Sequence, residues 1–173
     1  MRERKLRQFV TDPEEASPYL DVLRSIADYQ FGIGTAPCLF NSESSFTIQR
    51  SVNTWRIRNV LLDGKLFLVL RPQDGLFSIT VFAAELLKKC SNPPRLRVTV
   101  NDEVIQAIMK EGNVFAKHVI NVDRNLRAGD EAIIVNNSDE LIAVGKMRLS
   151  GEEVMEYKRG VAVTVKERCR IRK

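Results

Sequence analysis

Few side chains in this sequence could carry chemistry, and they stand far apart. Acid–base work at neutral pH usually falls to histidine, and the only one is His118. It sits in Phe115-Ala116-Lys117-His118-Val119 with no cysteine or paired carboxylate near it in sequence to orient the ring. It reads as a structural or contact group, not as a general base. Cys38, Cys90 and Cys169 are widely separated and odd in number, which suits reduced, buried thiols better than a disulfide framework or a Cys-x-x-Cys site. With one histidine they give no zinc-ligand spacing. Gly32-Ile33-Gly34 lacks the third glycine, the Lys-Ser/Thr pair and the strand-to-helix setting of a phosphate loop, so it is expected to end a helix and reverse the chain. Asp74-Gly75 is a turn. No catalytic constellation, metal site or cofactor is expected, and the chain is read as non-enzymatic.

A different pattern closes the sequence. Alternation along a strand from Val161 to about Ile171 would put Val161, Val163, Val165, Glu167, Cys169 and Ile171 on one face and Lys166, Arg168, Arg170 and Arg172 on the other. Neighbours in such a row lie about 7 Å apart. That spacing suits successive phosphates, with affinity that falls as salt rises. Lysine and arginine also blunt exposed strand edges, and periodicity alone does not choose between the two accounts. A second basic element is Lys110-Glu111-Gly112-Asn113-Val114-Phe115-Ala116-Lys117, where a glycine turn joins helix to strand. Phe115 there is either core or a base-stacking surface. Trp55-Arg56-Ile57-Arg58 forms a weaker basic patch.

The net charge of +5 and pI near 9.3 permit a polyanionic partner. The distribution says more. Residues 94–157 hold eight basic and eleven acidic side chains, whereas residues 158–173 hold Lys158, Arg159, Lys166, Arg168, Arg170, Arg172 and Lys173 against Glu167 alone.

The elements that must position these groups are legible from turn and capping signals. Asp12-Pro13-Glu14-Glu15 and Ser17-Pro18 each read as a helix start, with a helix from Pro18 to about Tyr29 burying Leu20, Leu23, Ile26 and Ala27. Phe46–Ser51, Thr54–Leu62 and Lys65–Arg71 read as strands, the last two joined by an Asp63-Gly64 hairpin turn. Leu76–Thr80 is a further strand, and Val81–Lys89 a helix. Ser91-Asn92-Pro93-Pro94 breaks the pattern. It restarts with a strand at Leu96–Val100, a helix at Asp102–Lys110 and a strand at Asn113–Val122. Strands at Glu131–Val135 and Leu141–Arg148 follow. Ser150-Gly151-Glu152-Glu153 is a capping box opening a helix to about Tyr157, and Gly160 is expected to end it before the last strand.

At 173 residues and 19.7 kDa the chain allows one ordinary domain or two small ones. No apolar run approaches the length of a membrane span, and MRERKLRQFV has neither the apolar stretch nor the cleavage site of a secretory signal. A cytoplasmic protein of α+β class is expected.

The phrases Arg97-Val98-Thr99-Val100-Asn101-Asp102-Glu103, Gly112-Asn113-Val114-Phe115-Ala116-Lys117, Gly129-Asp130-Glu131, Ala143-Val144-Gly145-Lys146, Leu149-Ser150-Gly151-Glu152-Glu153 and Gly160-Val161-Ala162-Val163 occur in this order. Over residues 94–170 they resemble a PUA domain, a small pseudobarrel module common in RNA-modifying enzymes, and in particular the one that ends archaeal tRNA-guanine transglycosylases, the archaeosine enzymes. Ile26-Ala27-Asp28-Tyr29-Gln30-Phe31-Gly32-Ile33-Gly34 and Leu70-Arg71-Pro72-Gln73-Asp74-Gly75-Leu76-Phe77 are similar to the small domain that precedes the PUA module there. Thr35-Ala36-Pro37-Cys38 departs from the Gly/Ala-rich run of that family. The family's catalytic barrel, with its aspartate nucleophile and cysteine-clustered zinc, has no counterpart, so base exchange is not carried over.

The resemblance implies a pre-PUA-like α+β domain over residues 1–92 and a PUA pseudobarrel over 93–173. It implies RNA as the partner, tRNA foremost, held by Lys110, Gly112, Asn113, Phe115 and Lys117 with Arg159, Gly160, Lys166 and Arg168 opposite, and Arg170 continuing the row. The expected function is non-catalytic RNA binding, as an accessory to RNA modification. The alternative is a protein adaptor that supplies an RNA grip to a separately encoded catalytic subunit.

Overall fold

A five-stranded antiparallel sheet occupies the first half of the chain, with β1 (Glu14–Glu15), β2 (Phe46–Arg50), β3 (Ile57–Leu62), β4 (Lys65–Leu70) and β5 (Phe77–Ile79) neighbouring one another in that order. It belongs to the first of two compact units, Met1–Cys90 and Ser91–Lys173, in which the computed structural model describes residues 9–41 and 43–169. The β3–β4 turn is the one its sequence requires. Asp63 and Gly64 both take positive φ, 49° and 76°, as a two-residue turn matched to strand twist demands.

Three helices pack with this sheet: α1 (Leu20–Phe31), α2 (Ala36–Leu39) and α3 (Val81–Cys90). Leu23, Ala27 and Phe31 recur every fourth residue of α1 and are buried, the stripe that helical geometry directs to a core. Phe40 has its ring centroid 5.1 Å from Phe46 and 6.3 Å from both Phe67 and Phe77. The Gln30 side chain treats edge strand β5 as another strand would: its amide nitrogen donates to the Phe77 carbonyl and its oxygen accepts from the Phe77 N–H, both at 2.7 Å.

Two expectations fail in this unit. Asp12-Pro13 starts no helix, because Glu14 and Glu15 pair with Ile48 and Thr47 as β1, and sheet pairing overrides the local capping signal. The thiols of Cys38 and Cys90 are not reduced. They form a disulfide with Cα atoms 5.8 Å apart across a sequence separation of 52, brought together by the packing of α2 on α3. Spacing along the chain carried no trace of that proximity.

In the second unit six strands order as β7-β11-β10-β9-β6-β8, where β6 is Arg97–Val100, β7 Asn113–Phe115, β8 Val119–Val122, β9 Glu131–Val135, β10 Leu141–Met147 and β11 Val161–Arg168. The β6–β9 pairing is parallel and the others are antiparallel. The sheet curls into a half-barrel of the expected pseudobarrel class, accompanied by α4 (Ile105–Glu111) and α5 (Gly151–Tyr157). Its core is aliphatic, with every residue of β9 buried.

Arg97, 1% exposed, anchors the start of this unit. Its guanidinium donates to Asp139 Oδ1 at 2.8 Å, to Ser91 Oγ at 3.0 Å and to the carbonyls of Arg95 and Ser91 at 2.8 and 2.9 Å, which satisfies a charge that burial would otherwise penalise heavily. The strand expected over Asn113–Val122 is interrupted by a 3-10 turn at Ala116–His118, so His118 lies in a turn and not in a strand. Gly160 does not end α5 either. Lys158 does, in the left-handed conformation at φ 49°.

Candidate nucleic-acid interface

β7 stands at the end of the sheet order and pairs with β11, which sets Asn113 opposite Thr164, Val114 opposite Val163 and Phe115 opposite Val161. The Ala116 N–H donates to Gly160 O and the Val165 N–H donates to Gly112 O, each at 2.9 Å. Two stretches nearly fifty positions apart in sequence thus form one ribbon. Gly112 caps α4 at φ 81°, and an added Cβ there would lie 2.7 Å from Nη2 of Arg168. The guanidinium therefore lies directly across the glycine. Arg168 is exposed, and no hydrogen bond or ion pair holds it among the described residues.

The other end of the ribbon is set by α5. Ser150 and Glu153 complete the capping box, with the Ser150 N–H donating to Glu153 Oε2 at 2.7 Å and the Glu153 N–H donating to Ser150 Oγ at 3.2 Å. The Ser150 N–H first, and the Ser150 side chain after it, hold the Glu153 carboxyl below its ordinary range. The helix then delivers Lys158, Arg159 and Gly160, all exposed, beside Phe115. Lys110, at the end of α4, and Lys117, in the 3-10 turn, are exposed as well. Glu111 and Glu167, also exposed, interleave with these cations.

The straight cationic row does not form. β11 carries a bulge where Glu167 faces Val144 and Val165 faces Gly145, leaving Lys166 as the extra residue. A one-residue insertion exchanges the faces beyond it. Arg168, opposite Ala143, thereby joins the side of Val165 and Val163, not the face expected from uninterrupted alternation. A second irregularity between Val161 and Val163 buries both Ala162 and Val163. β11 also crosses β10 so closely that a Cβ on Gly145 would lie 2.5 Å from the Thr164 carbonyl oxygen.

Lys166 is turned to a different task. Its Nζ donates to both carboxylate oxygens of Glu131, at 2.7 and 2.9 Å, and the Glu131 side chain is fully buried. The lysine neutralises a core carboxylate and is not an open phosphate contact. Arg170 lies outside the described residues, as do Ile171, Arg172 and Lys173. Of the residues expected at the interface, the β7–β11 ribbon carries Gly112, Asn113 and Arg168 towards one end and Phe115 and Gly160 at the other, with Lys110, Lys117 and Arg159 at the neighbouring turns.

Sequence reasoning missed Glu131, whose partner is 35 positions away, and Tyr157, which is 59% exposed just before Lys158. An aromatic in the last turn of a short helix carries no signal of its own exposure. Among the described residues no group of three or more His, Cys, Asp and Glu side chains could hold a metal, and no helix is long and apolar enough to cross a membrane.

Comparison with known proteins agrees with this architecture. Residues 21–94 match the family described as the patch-forming domain C2 of tRNA-guanine transglycosylase, and residues 96–168 match the PUA domain. A tRNA-guanine(15) transglycosylase of Methanothermobacter thermautotrophicus is 39% identical over 160 residues, 92% of this chain but 24% of that protein. The chain spans about a quarter of the length of the curated relatives it matches. Among solved structures, a hypothetical protein of Pyrococcus horikoshii OT3 is similar with a TM-score of 0.71 and 20% identity, covering 93% of this chain and 95% of that one. A conserved PUA domain protein from Thermoplasma acidophilum is similar with a TM-score of 0.60 and 21% identity, covering 90% and 91%. These two likenesses concern the fold.

Proposed function

Because the chain consists of a transglycosylase-type C2 domain followed by a PUA domain, homologous to the C-terminal region of archaeal tRNA-guanine(15) transglycosylases, we propose that it is a non-catalytic RNA-binding protein. Its favoured ligand is tRNA, and its role is accessory to RNA modification. PUA domains bind RNA. The observation that carries the reading onto this chain is the Gly112–Arg168 pairing, in which a guanidinium with five donors lies exposed across a backbone that has no side chain to fend off a ligand. Lys110 adds charge at that end of the ribbon, and Lys117 and Arg159 supply charge, with Phe115 and Tyr157 as exposed rings, at the other. Phosphate contacts set position and most of the affinity, while exposed rings suit unpaired bases.

The test is a binding titration against total tRNA at several salt concentrations. Arg168→Ala is expected to weaken binding several-fold at low salt and to reduce the salt slope by about 1, the share of one phosphate contact. Lys166→Ala, already neutralised by Glu131, should change the slope less. An unaltered slope in Arg168→Ala would remove the central contact from the proposal.

The second reading is a protein adaptor that supplies an RNA grip to a separately encoded catalytic subunit. Pull-down with and without nuclease separates the two. A protein partner retained after RNA digestion supports the adaptor.

A further inference from the structure

The β2–β3 loop of the first unit holds a surface that the PUA-based reading does not use. Trp55, the chain's single tryptophan, is 64% exposed and has φ 58°, a left-handed backbone that residues with bulky side chains adopt only when their surroundings enforce it. The surroundings do. The Trp55 N–H donates to Ser51 O at 2.8 Å and the Ser51 N–H donates to Arg56 O at 2.9 Å, which closes the loop on itself. Arg50 then braces it from beneath. Its Nη1 donates to the Trp55 carbonyl at 3.1 Å, its guanidinium lies 6.0 Å from the indole and 5.0 Å from the Tyr19 ring, and its Nε is fixed by Glu14 at 2.7 Å.

A large apolar ring held out in water by a strained and braced loop is poorly explained by stability alone, since burying it would be favourable. What surrounds it identifies the occupant. Arg56 and Arg58 are exposed beside it, and neither guanidinium makes a hydrogen bond or ion pair among the described residues. Glu14 is already engaged by Arg50. Val52 and Phe9, 46% and 60% exposed, extend the apolar shelf, with the Val52 N–H donating to Phe9 O at 3.1 Å. A π-face flanked by two open guanidiniums complements a flat base attached to a phosphate backbone.

We infer that Trp55 is a stacking platform for an unpaired nucleotide, with Arg56 and Arg58 on the adjoining phosphates, so that the first unit carries its own single-strand contact apart from the β7–β11 ribbon. The inference rests on the RNA reading above for the class of ligand, but uses none of its residues.

The lone tryptophan makes the test direct on the full chain. Emission excited at 295 nm reports Trp55 alone. A 12-nucleotide oligo(rU) is expected to quench that emission and to protect it from iodide, while a blunt 12-base-pair RNA duplex and polyglutamate leave it accessible. Trp55→Ala should weaken oligo(rU) binding about tenfold, the scale of one lost base stack, with Trp55→Phe restoring most of the affinity. Arg56→Ala with Arg58→Ala should flatten the salt dependence. The iodide measurement on the unaltered protein stands even where a variant folds poorly. Equal protection by duplex or polyglutamate would overturn base stacking. Binding of tRNA with no change in Trp55 emission or accessibility would overturn this site and leave the ribbon intact, whereas failure of every RNA to bind would overturn both.

Discussion

The first unit packs rings and is closed by a covalent tie, whereas the second has one phenylalanine, Phe115, and leaves it exposed. Phe31, Phe40, Phe46, Phe67, Phe77 and Phe82 touch in a continuous cluster around which α1, α2 and β5 assemble, and Cys38–Cys90 locks the two helices that flank it. The second unit fills its half-barrel with valine, isoleucine and alanine and fixes strand order with polar pins: Arg97 on Asp139, Lys166 on Glu131, and the Leu96 N–H on Asp123 Oδ2 at 2.8 Å. Both units are small enough that an aliphatic core alone is marginal. One adds rings and a cross-link, the other satisfied charges. The second solution turns Lys166 from the exposed cations of β11 to the buried Glu131 carboxylate.

Experiments can break or sharpen this contrast. The largest effect is expected from Cys90→Ser, or from reduction. Opening a loop of this length raises the entropy of the unfolded chain and should lower stability by about 4 kcal/mol. The loss should appear in unfolding followed by Trp55 emission, which belongs to the first unit. No shift on reduction would show that the phenylalanine cluster suffices.

Next comes Arg97→Met, expected to destabilise the second unit by about 3 kcal/mol through the loss of a buried ion pair and the hydrogen bonds around it. The change should be seen by circular dichroism with the tryptophan transition unmoved; coincident transitions would mean that the two units unfold together.

Gly112→Ala is smaller in stability, about 1 kcal/mol for a left-handed position, but more telling for the interface. The added Cβ meets Arg168, so tRNA affinity should fall several-fold together with the loss of fold stability. Retained affinity would separate Arg168 from the binding surface.

The smallest effect concerns Glu153. Its carboxyl is held below the ordinary range by Ser150, so the contribution of the cap is present at and above the usual glutamate titration range and is lost as pH falls through the lowered folded value. Carboxyl titration by NMR should show Glu153 rising only part of the way in Ser150→Ala, because the larger contribution, the Ser150 backbone N–H, survives the substitution.

Local chemistry was readable where it acts over a few residues. Asp63-Gly64, the Ser150–Glu153 box and the α1 stripe at Leu23 and Ala27 appear as expected, because a turn, a cap and an amphipathic face depend only on neighbours in sequence. Asp12-Pro13 misled because β1 acquires its state from β2, thirty residues on. Lys158, not Gly160, closes α5, since Gly160, itself at φ 80°, lies just before β11 and already pairs through its carbonyl with Ala116. At the candidate interface, the resemblance implied Gly112, Phe115, Gly160 and Arg168, which fall on or beside the β7–β11 ribbon. The bulge that moves Arg168 to the other side of β11, and gives Lys166 to Glu131, leaves no local mark.

What the sequence by itself determined is the set of elements, their order, and the concentration of positive charge after Lys158, because propensity, capping and charge are properties of short stretches. Only the tertiary structure decided which charges stay open and which thiols meet. A carboxylate buried 35 residues from its lysine and a cysteine 52 residues from its partner interact through space, and distance in space is set by packing that no window of the chain contains.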